Sequence, residues 1–164
     1  MNACGSLGSA CVACLAGQAS TGTAGADALC TLAAQAALKG GTWKAWVSSS
    51  SQSALSRMGD VGPWYQQQAD GGFVRTFNNK ANLATAPLVG LFVDENGQDL
   101  GSVEYWTGTA AGGTPYSSNC ANFSSTSGSP SYGTTGYSGA TSSDWTEGGT
   151  VYCYETAHLL CFEQ

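Results

Sequence analysis

The sequence predicts an α+β fold in which two helices lie against a twisted, mostly antiparallel sheet. Residues 24–38 have the alanine-rich composition and apolar spacing of a helix, whereas several later segments alternate apolar and polar residues as strands do. The chain has seven cysteines and a single histidine, and the gaps that separate Cys30, Cys120, Cys153 and Cys161 are too long for a compact metal cluster. We therefore expect one domain in which disulfides join an early helix to a late strand.

The predicted helices have recognisable ends. Thr23 stands at the expected N-cap of the first helix, and Asp27 lies in its expected first turn, where the helix dipole favours a carboxylate. Gly40 and Gly41 are expected to stop this helix. Ser51 is predicted to cap a short second helix that continues to residue 58.

The predicted strands are short and follow one another along the rest of the chain. They comprise residues 42–48, 73–77, 103–107, 151–154 and 157–162, with a further short strand indicated at 10–15. Residues 88–93 and 98–102 flank Asn96-Gly97, which predicts a tight hairpin with a type I′ turn.

Residues 108–150 consist mostly of Gly, Ser, Thr, Pro and Tyr and are predicted to be almost entirely turn and loop. A loop of this length inside a compact domain is either functional or tethered. Cys120 and Cys153 could tether it. We expect this loop region to cover one face of the sheet.

Charge is scarce in this chain. Charged residues make up 10% of the sequence, against about 25% in an average soluble domain. Such a surface suits a secreted protein or a subunit that packs against its own copies. With a net charge of −6 and only five basic residues, the chain is not expected to bind nucleic acid.

The cysteines and the hydropathy indicate the compartment. Disulfides persist in oxidising environments, so we expect an extracellular protein, either secreted or on the cell surface. No stretch reaches the roughly 20 apolar residues of a membrane span. The chain lacks a charged, hydrophobic leader, and we expect Met1 to stand where a signal peptide was removed.

Seven short motifs occur in a fixed order. They are Gly25-Ala26-Asp27-x-x-Cys30, Gly41-Thr42-x-x-Ala45-x-x-Ser48, Tyr105-Trp106-Thr107-Gly108, Asn119-Cys120, Gly136-x-x-Gly139, Val151-x-Cys153 and His158-Leu-Leu-Cys161-x-Glu163. In these motifs the chain resembles the endostatin-like branch of the C-type-lectin-like fold, and more nearly bacterial surface and lipoprotein domains. The expected organisation is a Cys/Gly-rich segment, 1–22, followed by a C-type-lectin-like domain, 23–164.

The resemblance implies that Cys30 pairs with Cys161 and that Cys120 pairs with Cys153. Chain-entropy estimates give roughly 5 kcal/mol for the longer bridge and nearly 4 kcal/mol for the shorter. Either value is a large share of the net stability of a domain.

Three further cysteines, Cys4, Cys11 and Cys14, are left unassigned. One more disulfide among them would leave one thiol over, and the sequence does not choose among the three pairings. Cys11-x-x-Cys14 has the spacing of a redox motif but lacks the βαβ context in which such motifs work.

No metal, cofactor or catalytic group is expected. The Glu-Pro-Asn, Gln-Pro-Asp and Trp-Asn-Asp strings of sugar-binding C-type lectins do not occur. The acidic run from Asp94 to Asp99 resembles a small calcium loop, but a hairpin turn is the favoured interpretation. His158 is expected to be structural, because no nucleophile and orienting carboxylate are evident beside it.

Aromatic residues are the main indication of binding. Trp43, Trp106 and Tyr152 lie in predicted strands and are expected in the core. Those in the long loop region are the candidate ligand-binding residues, namely Tyr116, Tyr132, Tyr137 and Trp145.

The sequence thus favours an extracellular, non-catalytic binding or adhesion module that recognises a glycan or a protein through a neutral aromatic and amide surface. The alternative is a self-assembling structural subunit of an extracellular filament or surface array, whose partners are copies of itself.

Overall fold

The computed structural model describes residues 22–127 and 131–164, together with the backbone of residues 14–15. These residues form an α+β architecture with few helices, mostly antiparallel strands and two disulfides. The fold class predicted from the sequence is confirmed at this level.

Within the described residues, the helices are α1 (Thr23–Ala36) and the one-turn α2 (Ala54–Arg57), and two 3-10 helices span Lys80–Ala84 and Ser143–Trp145. The strands are β1 (Cys14–Leu15), β2 (Trp43–Ala45), β3 (Trp64–Gln67), β4 (Phe73–Phe77), β5 (Glu104–Trp106), β6 (Tyr132–Tyr137), β7 (Gly149–Tyr152), β8 (Thr156–Leu159) and β9 (Cys161–Glu163).

The largest sheet has the strand order β1-β8-β5-β6-β7. Its β5 and β8 run parallel, with Tyr105 opposite His158, and its other neighbouring strands are antiparallel. In the described residues, β2 pairs with β9 and β3 with β4, as two further antiparallel pairs.

Two apolar cores cover the two faces of the central strand β5. Tyr105 and Trp106 are both buried, yet they belong to different clusters. Because successive strand residues point to opposite faces, the clusters lie on opposite sides of the sheet. The first cluster includes α1, whose buried face consists of Ala26, Cys30, Ala33 and Ala34. These small residues let the helix approach β2 closely.

The second cluster is dominated by aromatic rings. Trp46 lies 4.9 Å from Trp145, and Phe77 lies 5.0 Å from Trp145 and 5.7 Å from Phe162, measured between ring centroids. Such tilted and edge-on pairs stabilise a core by about 0.5–1.5 kcal/mol each beyond the area that they bury.

A buried arginine joins α1, β2 and α2. Arg57 Nη1 donates to the carbonyl oxygens of Ala45 and Val47, at 2.9 and 2.7 Å, and Nη2 donates to Thr23 O and to Asp27 Oδ1. The same carboxylate oxygen accepts from Ala45 N at 2.9 Å. The guanidinium charge is therefore compensated by a carboxylate and by backbone dipoles.

Both predicted helix caps were wrong. Gly22 is the N-cap of α1 without a side-chain hydrogen bond, and Asp27 lies beyond the first turn, where it pairs with Arg57. Ser53, not Ser51, caps α2, because its hydroxyl accepts from Ser56 N at 3.0 Å.

The predicted type I′ hairpin was also wrong. Of its two central residues only Gly97 has a positive φ, 82°, whereas a type I′ turn needs both. The turn is instead held by Asp94, whose Oδ1 accepts from the backbone N of Asn96 and of Gln98 at 2.8 Å. Flanking residues meet in one isolated bridge, between Val93 and Asp99.

The region 108–150 is more regular than predicted, since it contains β6 and the start of β7. It also contains a turn, Cys120–Phe123, whose four residues have φ between 52° and 61°. This left-handed conformation costs non-glycine residues about 1–2 kcal/mol each. Asn119 Oδ1 accepts from Asn122 N at 3.0 Å, and the Cys120–Cys153 disulfide fixes one end of the turn.

The structure contains both disulfides implied by the resemblance, Cys30–Cys161 and Cys120–Cys153. The first joins α1 to β9 across 131 residues, and the second joins the left-handed turn to the residue after β7. Cys4 and Cys11 lie outside the described residues, as does the side chain of Cys14.

Replacing Arg57 with Met should lower the free energy of unfolding by about 3 kcal/mol, because several buried acceptors and Asp27 lose their donor. Urea denaturation with the disulfides intact measures this. Arg75→Met, at an exposed arginine, is the control and should change stability by less than about 0.5 kcal/mol. Equal losses in the two variants would contradict the structural role of Arg57.

Replacing both Cys30 and Cys161 with Ala should destabilise the fold by up to about 5 kcal/mol, because the unfolded chain loses its longest covalent loop. The matched pair Cys120→Ala and Cys153→Ala should cost up to about 4 kcal/mol. The urea denaturation midpoints of the two variants, each with its remaining disulfide oxidised, show which variant loses more stability. A larger loss for the second pair would show that loop length does not govern the effect.

Candidate functional site

Three tyrosines form a stack on the sheet, which we call the tyrosine ladder: Tyr132 on β6, Tyr152 on β7 and Tyr154 just beyond β7. The rings of Tyr132 and Tyr152 have centroids 4.6 Å apart with planes at 28°, and those of Tyr152 and Tyr154 are 5.2 Å apart with planes at 12°. Tyr132 and Tyr154 are 40% and 51% exposed. The ladder thus presents aromatic surface and phenol groups to solvent.

Strand periodicity places the ladder. Tyr132 lies opposite Tyr152 in the antiparallel β6–β7 register. On β7, Val151 packs against the first apolar cluster, so Tyr152 points away from it. In the turn that follows, Cys153 is fully buried, and the exposed Tyr154 stacks on Tyr152. The disulfide at Cys153 therefore anchors the backbone between two rungs of the ladder.

The ladder is neutral but has an acidic neighbour. A hydrogen bond with the Tyr152 side chain raises the pKa of the Tyr132 phenol, so this group stays protonated in ordinary conditions. Glu155 follows the ladder and is exposed, and its backbone N donates to Tyr152 O at 2.9 Å, which closes the turn after β7. Phenol groups can donate and accept hydrogen bonds, whereas the carboxylate only accepts.

The structure separates the four predicted ligand-binding residues. Tyr132 belongs to the ladder. Tyr137 is exposed at the other end of β6, where its ring lies over Gly148, and Tyr116 is exposed on the segment after Gly108. These residues do not form one site with Tyr132.

The prediction for Trp145 was wrong. Its ring is fully buried in the second cluster, and its Nε1 donates to Thr85 O at 3.0 Å. The short 3-10 helix that ends at this residue turns the side chain inward from a segment that looked like a surface loop.

Two residues of the ladder were missed. Tyr152 was expected in the core but is only partly buried, and Tyr154 was not singled out. The available signal was the pattern Val151-Tyr152-Cys153-Tyr154. With Val151 facing the core, the strand period of two places Tyr152 on the opposite face, whereas Tyr154 lies in the turn after β7, which that period does not describe.

A second exposed surface lies on the β3–β4 pair, and we call it the β4 patch: Tyr65, Phe73, Val74 and Arg75. Phe73 is 58% and Val74 37% exposed. The Arg75 guanidinium lies 5.6 Å from the centroid of the Tyr65 ring, and Nη2 donates to the Tyr65 hydroxyl at 3.4 Å. Arg, Tyr and Phe are residue types enriched in protein interfaces.

His158 lies on β8, between β5 and the edge strand β1. Its Nδ1 is 3.3 Å from Glu104 O. Burial lowers the pKa of this imidazole, and the contact with the Glu104 carbonyl opposes the shift only partly. In the described part of the chain, no three or more His, Cys, Asp or Glu side chains are grouped closely enough to hold a metal ion.

Two clefts lined by described residues lie away from the ladder. One, of about 230 Å³, is lined by residues 61–64 and 163–164, and another, of about 360 Å³, by Leu55, Asp60, Lys80 and Ala81. The ladder itself exposes the rings of Tyr132 and Tyr154 to solvent, and such a surface suits an extended or macromolecular ligand better than an enclosed small molecule.

The chain matches no protein-family model and no curated protein. None of the helices in the described residues is long and apolar enough to cross a membrane. The two disulfides are compatible with an extracellular protein.

The lowered pKa of His158 predicts a pH dependence of stability. Between its ordinary value of 6.5 and its lower value in the fold, the unfolded chain binds a proton that the folded chain does not. Stability should therefore fall as pH decreases through this window, and His158→Gln should remove that part of the loss. Urea denaturation of both proteins from about pH 7.5 downward tests this. A wild-type protein that gains stability relative to the variant on acidification would contradict it.

Proposed function

We propose that this protein is an extracellular, non-catalytic binding module that recognises a glycan or a protein through the tyrosine ladder. The observation that carries the proposal is the exposed stack of Tyr132, Tyr152 and Tyr154, on the paired strands β6 and β7 and the turn that follows β7.

Tyrosine suits such a surface for two reasons. Its ring supplies a large contact area with few rotatable bonds, so little conformational entropy is lost on binding. Its hydroxyl forms hydrogen bonds without introducing charge. Stacking restrains the rings further, since Tyr152 contacts both of its neighbours. A preorganised surface loses less free energy to ordering when a ligand binds.

The proposal includes a C-type-lectin-like fold of the endostatin-like branch. It is supported by the two disulfides, whose pairing is the one that the resemblance implies, and by α1 being tied to the closing strand β9. A calcium-bridged sugar site is not part of the proposal, because the acidic run at residues 94–99 forms a turn whose Asp94 binds backbone N–H groups.

The non-catalytic assignment is supported by the surroundings of His158. Its Nδ1 faces a backbone carbonyl, and the pKa is lowered by burial. A general base would use its other ring nitrogen, Nε2, to accept from a nucleophilic hydroxyl or thiol, and no such hydrogen bond joins His158 to another described residue.

The test is binding of the disulfide-intact protein to arrays of immobilised glycans and extracellular proteins, with this protein itself among those immobilised. Tyr154→Ala should reduce the wild-type signals at least about tenfold, because it removes the most exposed ring of the ladder. Tyr137→Ala removes an exposed tyrosine elsewhere on the sheet and should leave the signals unchanged. Equal effects of the two substitutions, or a wild-type protein that binds nothing, would overturn the proposal.

Self-assembly into a filament or surface array is the second candidate function. The β4 patch favours it, since it places exposed apolar side chains beside an exposed cation in an otherwise acidic chain.

A further inference from the structure

We propose that the protein ligand of the tyrosine ladder is a second copy of this chain, which contributes its β4 patch, so that copies associate head to tail. This inference rests on the proposed function, because it assigns a partner to the same ladder.

The β4 patch holds the exposed cation of the chain. Of the five basic residues, Arg75 is the one whose side chain is exposed. The remaining ones are Lys39, which donates to Gln67 Oε1, Lys44, which donates to Arg57 O, Lys80, which donates to Met58 O, and the buried Arg57. Arg75 is thus the exposed cation among the five basic residues, whereas the three lysines are half-buried.

Arg75 is also available for an ion pair. Its contacts are to neutral oxygens, at 3.3 Å to Asn78 Oδ1 and 3.4 Å to the Tyr65 hydroxyl. The ion pair within the described residues joins Arg57 to Asp27 and does not include Arg75. An incoming carboxylate would form a charge-assisted hydrogen bond, which is stronger than either of these contacts.

The ladder complements this patch in charge. Glu155 lies next to Tyr154, and both are exposed. A guanidinium can therefore meet a carboxylate and an aromatic ring together, while Phe73, on the same face of β4 as Arg75, covers the neighbouring tyrosine rings. Two chains of net charge −6 repel each other in most orientations, and pairing Glu155 with the exposed arginine favours this one.

The arrangement determines the type of assembly. The ladder lies on β6 and β7 of the five-stranded sheet, whereas the β4 patch lies on the separate β3–β4 pair. A contact between two different surfaces of identical subunits is heterologous. Repetition of such a contact gives a ring if the rotation closes and an open chain if it does not.

Charge reversal tests the contact directly. Sedimentation velocity of the disulfide-intact protein over a range of concentrations should show self-association. Arg75→Glu and Glu155→Arg should each weaken it at least about tenfold. The double variant, and an equimolar mixture of the two single variants, should recover it, because each restores an opposite-charge pair. Asp144→Arg makes the same charge change at another exposed site and should associate as the wild type does.

The outcomes separate this inference from the proposed function. A wild-type protein that stays monomeric, or reversed charges that fail to recover association, would overturn the head-to-tail contact. If Tyr154→Ala still abolished binding to the arrays in that case, the ladder would remain a binding site for a different ligand. If Tyr154→Ala changed neither association nor array binding, both proposals would be wrong.

Discussion

The guanidinium of Arg57 lies where the first helix, the strand β2 and the short helix α2 meet, and it binds the backbone of two of these elements as well as the carboxylate of Asp27. Because β2 pairs with β9, and β9 carries the cysteine bonded to α1, this network positions one whole side of the domain. A buried charge tolerates few alternative arrangements, since moving any partner leaves it unsatisfied. The arginine therefore specifies how α1 sits on the sheet, while the small residues of the helix make the close approach possible.

Inside this protein, Ser and Thr hydroxyl groups form buried hydrogen bonds of the kind that charged side chains form in other proteins. Ser48 Oγ lies 2.9 Å from Thr109 Oγ1 and accepts from Ala54 N, and Thr107 Oγ1 donates to Thr146 O at 2.6 Å. Trp46 Nε1 donates to the Thr146 hydroxyl in the same region. Loops and strand ends contain backbone groups without ladder partners, and buried groups of this kind must be satisfied. A chain rich in Ser and Thr can bury irregular segments because each hydroxyl both donates and accepts.

The local sequence pattern was sufficient to predict α1 and β4, and residues 73–77 of β4 were predicted with the observed bounds. It failed at β6, where glycines made the segment look like a loop. The structure requires those glycines, because a Cβ at Gly133 would come within 2.5 Å of the Trp106 ring, and one at Gly136 would collide with Trp145 O. Tertiary packing requires these two glycines, and local strand or loop propensities do not reflect such packing. For the same reason the sequence indicated Tyr132 but could not bring it together with Tyr152 and Tyr154, since their proximity depends on the β6–β7 register.

Because Cys153 lies between two tyrosines of the ladder, its oxidation state affects the shape of the exposed aromatic surface. Its bond to Cys120 holds the chain between Tyr152 and Tyr154, so the spacing of these rings depends on an oxidised cystine. A sample stored in a buffer with dithiothreitol would present the same aromatic side chains on a backbone released from that restraint. Handling conditions therefore decide which surface any screening assay encounters.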